Sequence, residues 1–166
     1  MEFGPVQLLV VGFENGKFSG EILGELKRLR EHDIVRLVDL LFVTKSEDGE
    51  LAAAEMSDLS QDEAAEFGAL AGALLGLGAA GEEGAEEGAA LGAAALEEGH
   101  AYSEEEVWYL ADAIPPGSSA GIALIEHRWA IPLREAIQRA GGEPLADSWV
   151  HPSDLVAAGA EAAGRT

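Results

Sequence analysis

Apolar and polar positions change period several times along the chain, and each change marks an element. Val6 to Phe13 is an unbroken apolar run and predicts a buried strand, closed by the turn residues of "ENGKFSG". From Ser19 to Arg30 the spacing becomes helical. Ile22, Leu23, Leu26 and Leu29 share one side, Glu25, Lys27, Arg28 and Arg30 the other, and Ser19 stands at the N-cap position. After "EHD", Ile34 to Thr44 is rich in Val, Leu and Ile and predicts a second strand. Asp48-Gly49 then supplies a hairpin turn that pairs Glu50 to Met56 back as a short strand.

The C-terminal third repeats the pattern. Ser119 to His127 reads as a strand, Trp129 to Ala140 as a helix stopped by Gly141-Gly142, and Glu143 to Val150 as a strand. Two strand-helix-strand units in one layer predict an α+β fold: a ferredoxin-like four-stranded sheet of two βαβ units. The expected domain spans residues 1–150, with a helical insertion at about 60–100, and residues 151–166 form a flexible tail.

The insertion has its own period. Gly68, Gly72 and Gly76, and then Gly84, Gly88 and Gly92, recur every four residues, which keeps each set on one helix face. Opposite the first set lie Phe67, Leu70, Leu74 and Leu77. Opposite the second lie Glu82, Glu83, Glu86 and Glu87. Each interior glycine costs a helix about 1 kcal/mol relative to alanine, so a contact must require the missing side chains. Facing small-residue strips allow two helices to approach closely, which predicts an antiparallel hairpin joined near Gly78 to Gly81. Its leucine strip still needs a cover: the sheet's open face supplies it only in part, and a second copy of the chain is the expected one. The expected interface is Phe67, Gly68, Leu70, Gly72, Leu74, Gly76, Leu77, Gly84, Gly88 and Gly92. Ser60-Gln-Asp-Glu63 and Ser103-Glu-Glu-Glu106 fit the capping box and start helices on either side of this block.

Charge narrows the partners. With 31 acidic against 10 basic side chains the formal charge is −21, which disfavours nucleic acid and anionic membrane surfaces and favours a cation or a basic protein. The absence of cysteine excludes disulfides, thiolate chemistry and Cys-zinc sites. The apolar run at the start lacks a basic n-region and reads as a strand, so the expected location is the cytoplasm. Phe67 to Gly81, the longest uncharged stretch, falls short of the ~20 residues that cross a bilayer and is followed by glutamates.

Candidate chemistry is sparse. Glu97-Glu98-Gly99-His100 has the Glu-x-x-His spacing of di-iron carboxylate sites, which Glu63 or Glu66 of a partner helix would complete. Gly99 and the solvated acidic face argue against it, so Glu66, Glu97 and His100 remain the minor candidates for a metal. His127 and Trp129, at the end of the third predicted strand, are positioned to line a small pocket. "VGFENG" has neither dinucleotide nor P-loop spacing, and no G-x-S-x-G elbow occurs. No catalytic residue and no cofactor is assigned. The reading is a non-enzymatic self-associating protein, with a small-ligand or metal-binding protein, and then a membrane-associated one, as alternatives.

The order "LLVVGFENGKFSGEILGELKRL", "LVDLLFVTKSEDGEL", a Gly/Ala-rich block, "IPPGSSAGIALIEHRW" and "AGGEPLADSWV" resembles an uncharacterised bacterial family of unknown function, whose members are often labelled membrane or stress-associated proteins. The resemblance covers roughly residues 5 to 150. It implies a ferredoxin-like fold around a Gly/Ala-rich block and a stress-related role, and it brings no catalytic residues.

Overall fold

The computed structural model describes residues 3–14, 20–96, 111–143 and 145–164. In chain order the elements are β1 (Val6–Phe13), α1 (Gly20–Glu31), β2 (Val35–Lys45), β3 (Leu51–Met56), α2 (Gln61–Ala95), β4 (Ser119–His127), α3 (Ala130–Arg139) and α4 (Pro152–Gly164). Two compact units divide the chain, Met1–Pro132 and Leu133–Thr166.

Local chemistry explains most boundaries. α1 stops where Asp33 takes a left-handed backbone (φ 51°) and the Ile34 N–H donates back to the Leu29 carbonyl. Gly49 (φ 85°) closes the β2–β3 turn, with the Ser46 N–H donating to the Glu50 carbonyl at 2.8 Å. α3 ends at Gly141 (φ 78°) in the same way. Within the segment expected as a tail, Pro152–Gly164 form helix α4, and Asp154 accepts the His151 N–H at 2.7 Å across its first turn.

The four strands form one antiparallel sheet in the order β1-β4-β2-β3. β4 enters between β1 and β2, so β1-α1-β2 is a split βαβ unit. The second expected unit does not form among the described residues. Glu143 and residues 145–150 carry no strand, and Leu51–Met56 is the fourth strand of the sheet. The reason lies in the spacing: the apolar residues Leu145, Ala146, Trp149 and Val150 do not alternate with period two, and Leu145 is left almost wholly exposed.

A bulge between Leu37 and Asp39 lets β2 bury Leu37, Val38 and Asp39 in succession. One sheet face presents Leu41, Val43 and Ala120, which pack with Ala111 and Ile114 into the core cluster. On the other, Ile22, Leu23 and Leu26 of α1 lie over Leu9, Leu40, Phe42 and Ile125 around an apolar cavity of about 110 Å³. α1 itself buries no residue fully.

Candidate functional site: the glycine hairpin and its ion-paired base

The 35 residues of α2 are two helical arms that reverse at Ala80 and Gly81. Gly81 has φ 69° and ψ −151°, a conformation open to glycine alone. Ser60 caps the first arm: its Oγ accepts the Glu63 N–H at 3.2 Å, while the Glu63 carboxylate accepts the Ser60 N–H at 2.9 Å. Beyond the reversal the glycines meet in register, Gly68 with Gly92, Gly72 with Gly88 and Gly76 with Gly84. A Cβ on any of the six would fall against the partner's carbonyl group. The backbones are therefore in direct contact, and both glycine strips are used within the chain.

The residues opposite those strips face away. Leu70, Leu74 and Leu77 are 42%, 63% and 49% exposed, and Leu75 and Leu91 more so. Phe67, nearer the base, is half-buried and meets Phe3 edge-on, ring centroids 5.0 Å apart. Antiparallel register also sets the height of the acidic residues. With Gly76 level with Gly84, Leu77 and Leu74 stand at the height of Glu83 and Glu86.

The base of the hairpin is held by charge. Glu126 on β4 is fully buried and pairs in register with Arg36 on β2; its carboxylate accepts Arg36 Nε at 2.7 Å and the Gly4 N–H at 2.8 Å. Arg36 Nη1 reaches Glu63 at 3.2 Å, and the guanidinium lies 5.4 Å from the Phe3 ring centroid. Hydrogen bonding to the Ser60 N–H, with help from Arg36, holds the Glu63 carboxyl below its ordinary pKa against the opposing effect of desolvation. One arginine thus ties the sheet to the first turn of the hairpin.

Beside it lies an open cleft of about 540 Å³ lined by Lys27, Arg30, Arg36 and Arg128 together with Glu31, Asp33 and Asp58. Arg30 pairs with Asp58, which also accepts the Leu37 N–H at 2.8 Å; Arg128 pairs with Asp33 at 3.0 Å. Opposite charges pair there: Lys27 with Glu31, Arg30 with Asp58 and Arg128 with Asp33.

Of the expected metal candidates, Glu66 is exposed on the first arm, while Glu97 and His100 lie outside the described residues, as do Ser19 and the Ser103–Glu106 capping box. Among the described residues no three His, Asp or Glu side chains converge to hold a metal ion. His127 and Trp129 do meet: Trp129 Nε1 donates to His127 Nδ1 at 3.3 Å, and His127 Nε2 faces Gln7 Oε1 at 3.1 Å. Burial lowers the His127 pKa. Sequence reading missed the Arg36–Glu126 pair. Its signal was present, since each is a charge set within an apolar strand.

The family model of DUF6325, a family of unknown function, matches residues 2–102, and the chain belongs to that family. No curated protein and no solved structure matches it.

Proposed function

For a member of a family with no assigned role, we propose self-assembly: a cytoplasmic, non-enzymatic protein whose hairpin packs its leucine strip against that of a second copy. The observation that carries this reading is that the glycine strips are consumed inside the chain while Leu70, Leu74 and Leu77 stay exposed. An exposed apolar strip supports an association surface, and a two-fold axis would make it self-complementary. The split β1-α1-β2 unit keeps one half of a ferredoxin-like arrangement as the platform beneath.

α2 is long and apolar enough to cross a membrane by length and composition, yet the reversal at Ala80–Gly81 argues for assembly instead. A hairpin inserted tip-first carries Glu82, Glu83, Glu86 and Glu87 to the depth of the leucines, at a cost of several kcal/mol for each charge. Packing against a second hairpin leaves those carboxylates in water.

Sedimentation velocity over micromolar to near-millimolar protein tests the reading. The double variant Leu74→Glu/Leu77→Glu sediments as a smaller species than wild type. Association between two copies of charge −21 strengthens as salt screens their repulsion, whereas capture of a basic partner weakens. A wild-type chain that remains monomeric throughout, or a double variant of unchanged mass, refutes the proposal.

A further inference from the structure

β1 is an outer strand of the sheet, hydrogen-bonded to β4 alone among the described residues. The His127 N–H donates to the Pro5 carbonyl at 2.8 Å, and the register continues without a break from Val6 opposite Glu126 to Phe13 opposite Ser119. In an antiparallel ladder the backbone groups alternate in direction. Pro5, Gln7, Leu9, Val11 and Phe13 therefore turn theirs toward β4. The N–H and C=O groups of Val6, Leu8, Val10 and Gly12 point away from the sheet.

Exposed edges are ordinarily blunted by charge, proline or a bulge. β1 has none of these. Val6–Phe13 contains no charged residue in a chain with 41 of them (31 acidic and 10 basic), and Leu8 and Val10 are 61% and 58% exposed. The opposite edge, β3, is shorter, is half alanine and carries Glu55.

We infer that β1 pairs antiparallel with β1 of a second copy, joining two four-stranded sheets into one of eight strands. The occupant follows from charge and register. β1 offers no charge to draw a basic or an acidic peptide, but it complements itself about Leu9. With Leu9 opposite the partner's Leu9, Val6 stands opposite the partner's Gly12 and Leu8 opposite the partner's Val10. All four outward residues of each strand are then paired, apolar against apolar. A register shifted one way needs Gly4, whose N–H is already given to the Glu126 carboxylate, and one shifted the other way sets Glu14 against Val6. This contact is independent of the leucine strip, so a chain that uses both builds assemblies larger than a dimer.

The chain has no cysteine, which makes single-cysteine cross-linking clean. Leu9 occupies a non-hydrogen-bonded pair in this register, with Cα atoms about 4.5 Å apart, inside the range of roughly 4.4–6.8 Å that a disulfide bridges. Leu9→Cys forms covalent dimers under mild oxidation at least tenfold faster than Leu8→Cys, whose counterpart lies two residues out of register. Val10→Pro removes an outward N–H, and Val10→Lys places a charge at the seam. Each lowers the sedimenting mass while leaving the unfolding curve cooperative. Cross-linking at Leu9 persists in Leu74→Glu/Leu77→Glu if the edge acts on its own, so the two surfaces succeed or fail separately. Equal rates for Leu9→Cys and Leu8→Cys, or a mass unaffected by both Val10 variants, overturns the inference.

Discussion

Replacing Gly72 by alanine sets two effects of opposite sign against each other. Alanine is the better helix former by about 1 kcal/mol, so a glycine placed for no structural reason gives a more stable variant. In the hairpin, however, the new Cβ falls against the Gly88 carbonyl, with the Gly88 carbonyl carbon at 2.8 Å and Gly92 Cα at 3.1 Å. Ordinary carbon contacts lie at about 3.5–4.0 Å, so the arms must part by roughly 1 Å, and the contacts at Gly68–Gly92 and Gly76–Gly84 loosen with them. Overpacking of this kind costs about 1–3 kcal/mol. Backbone atoms on both sides place this site in the upper part of that range, and subtracting the propensity gain leaves a net loss of about 1–2 kcal/mol. Gly78 is the internal control, because a Cβ there meets nothing within 4 Å. Gly78→Ala gains up to about 1 kcal/mol. Urea unfolding followed by circular dichroism at 222 nm reads both, and thermal scans show shifts of roughly 2–4 °C per kcal/mol. If Gly72→Ala is as stable as wild type or more so, the direct backbone contact is wrong.

Arg36→Met strands the buried Glu126 carboxylate and is expected to destabilise by about 3–5 kcal/mol; Arg36→Met/Glu126→Gln, which removes the orphaned charge as well, recovers part of that loss in the same urea titration. Ser60→Ala removes the cap, at a cost of about 0.5–2 kcal/mol. The acid limb tests Glu63 itself: its pKa is lowered on folding, chiefly by the Ser60 backbone N–H, so its contribution is present above its unfolded value of 4.5 and is lost as pH falls through the folded pKa. Stability measured from pH 6 to pH 3 falls less steeply in Glu63→Gln, which cannot titrate, and an unchanged slope contradicts the assignment. His127 has a lowered pKa as well, so the folded state favours the neutral ring; its contribution is present above 6.5 and is lost as pH drops through the folded value. Protonation removes the Nδ1 lone pair that accepts from Trp129, so the indole fluorescence titrates below pH 6.5 in wild type, and that component disappears in His127→Gln.

Much of this architecture is written locally. The apolar run of β1, the Asp48-Gly49 turn, the Ser60 capping box and the four-residue glycine period each depend on residues close together in sequence, and each element stands where its pattern places it; the burial expected of β1 does not follow, because an outer strand leaves most of its residues exposed. The hairpin was legible for the same reason: a glycine strip has no use except close backbone approach, and the only matching strip lies a few turns away. Sheet order was not legible. Whether Leu51–Met56 or Glu143–Val150 completes the sheet, and whether β4 enters at its edge or its centre, depends on pairings between residues far apart, which local spacing does not encode. Arg36 and Glu126 show the same limit, as two charges 90 residues apart that look misplaced in their own strands until the register sets them side by side. Backbone geometry over a few residues is enough to specify the elements and the zipped glycines. Which surfaces the described residues leave open, the leucine strip and the β1 edge, follows from the packing of distant segments, because exposure depends on what every other element has left uncovered.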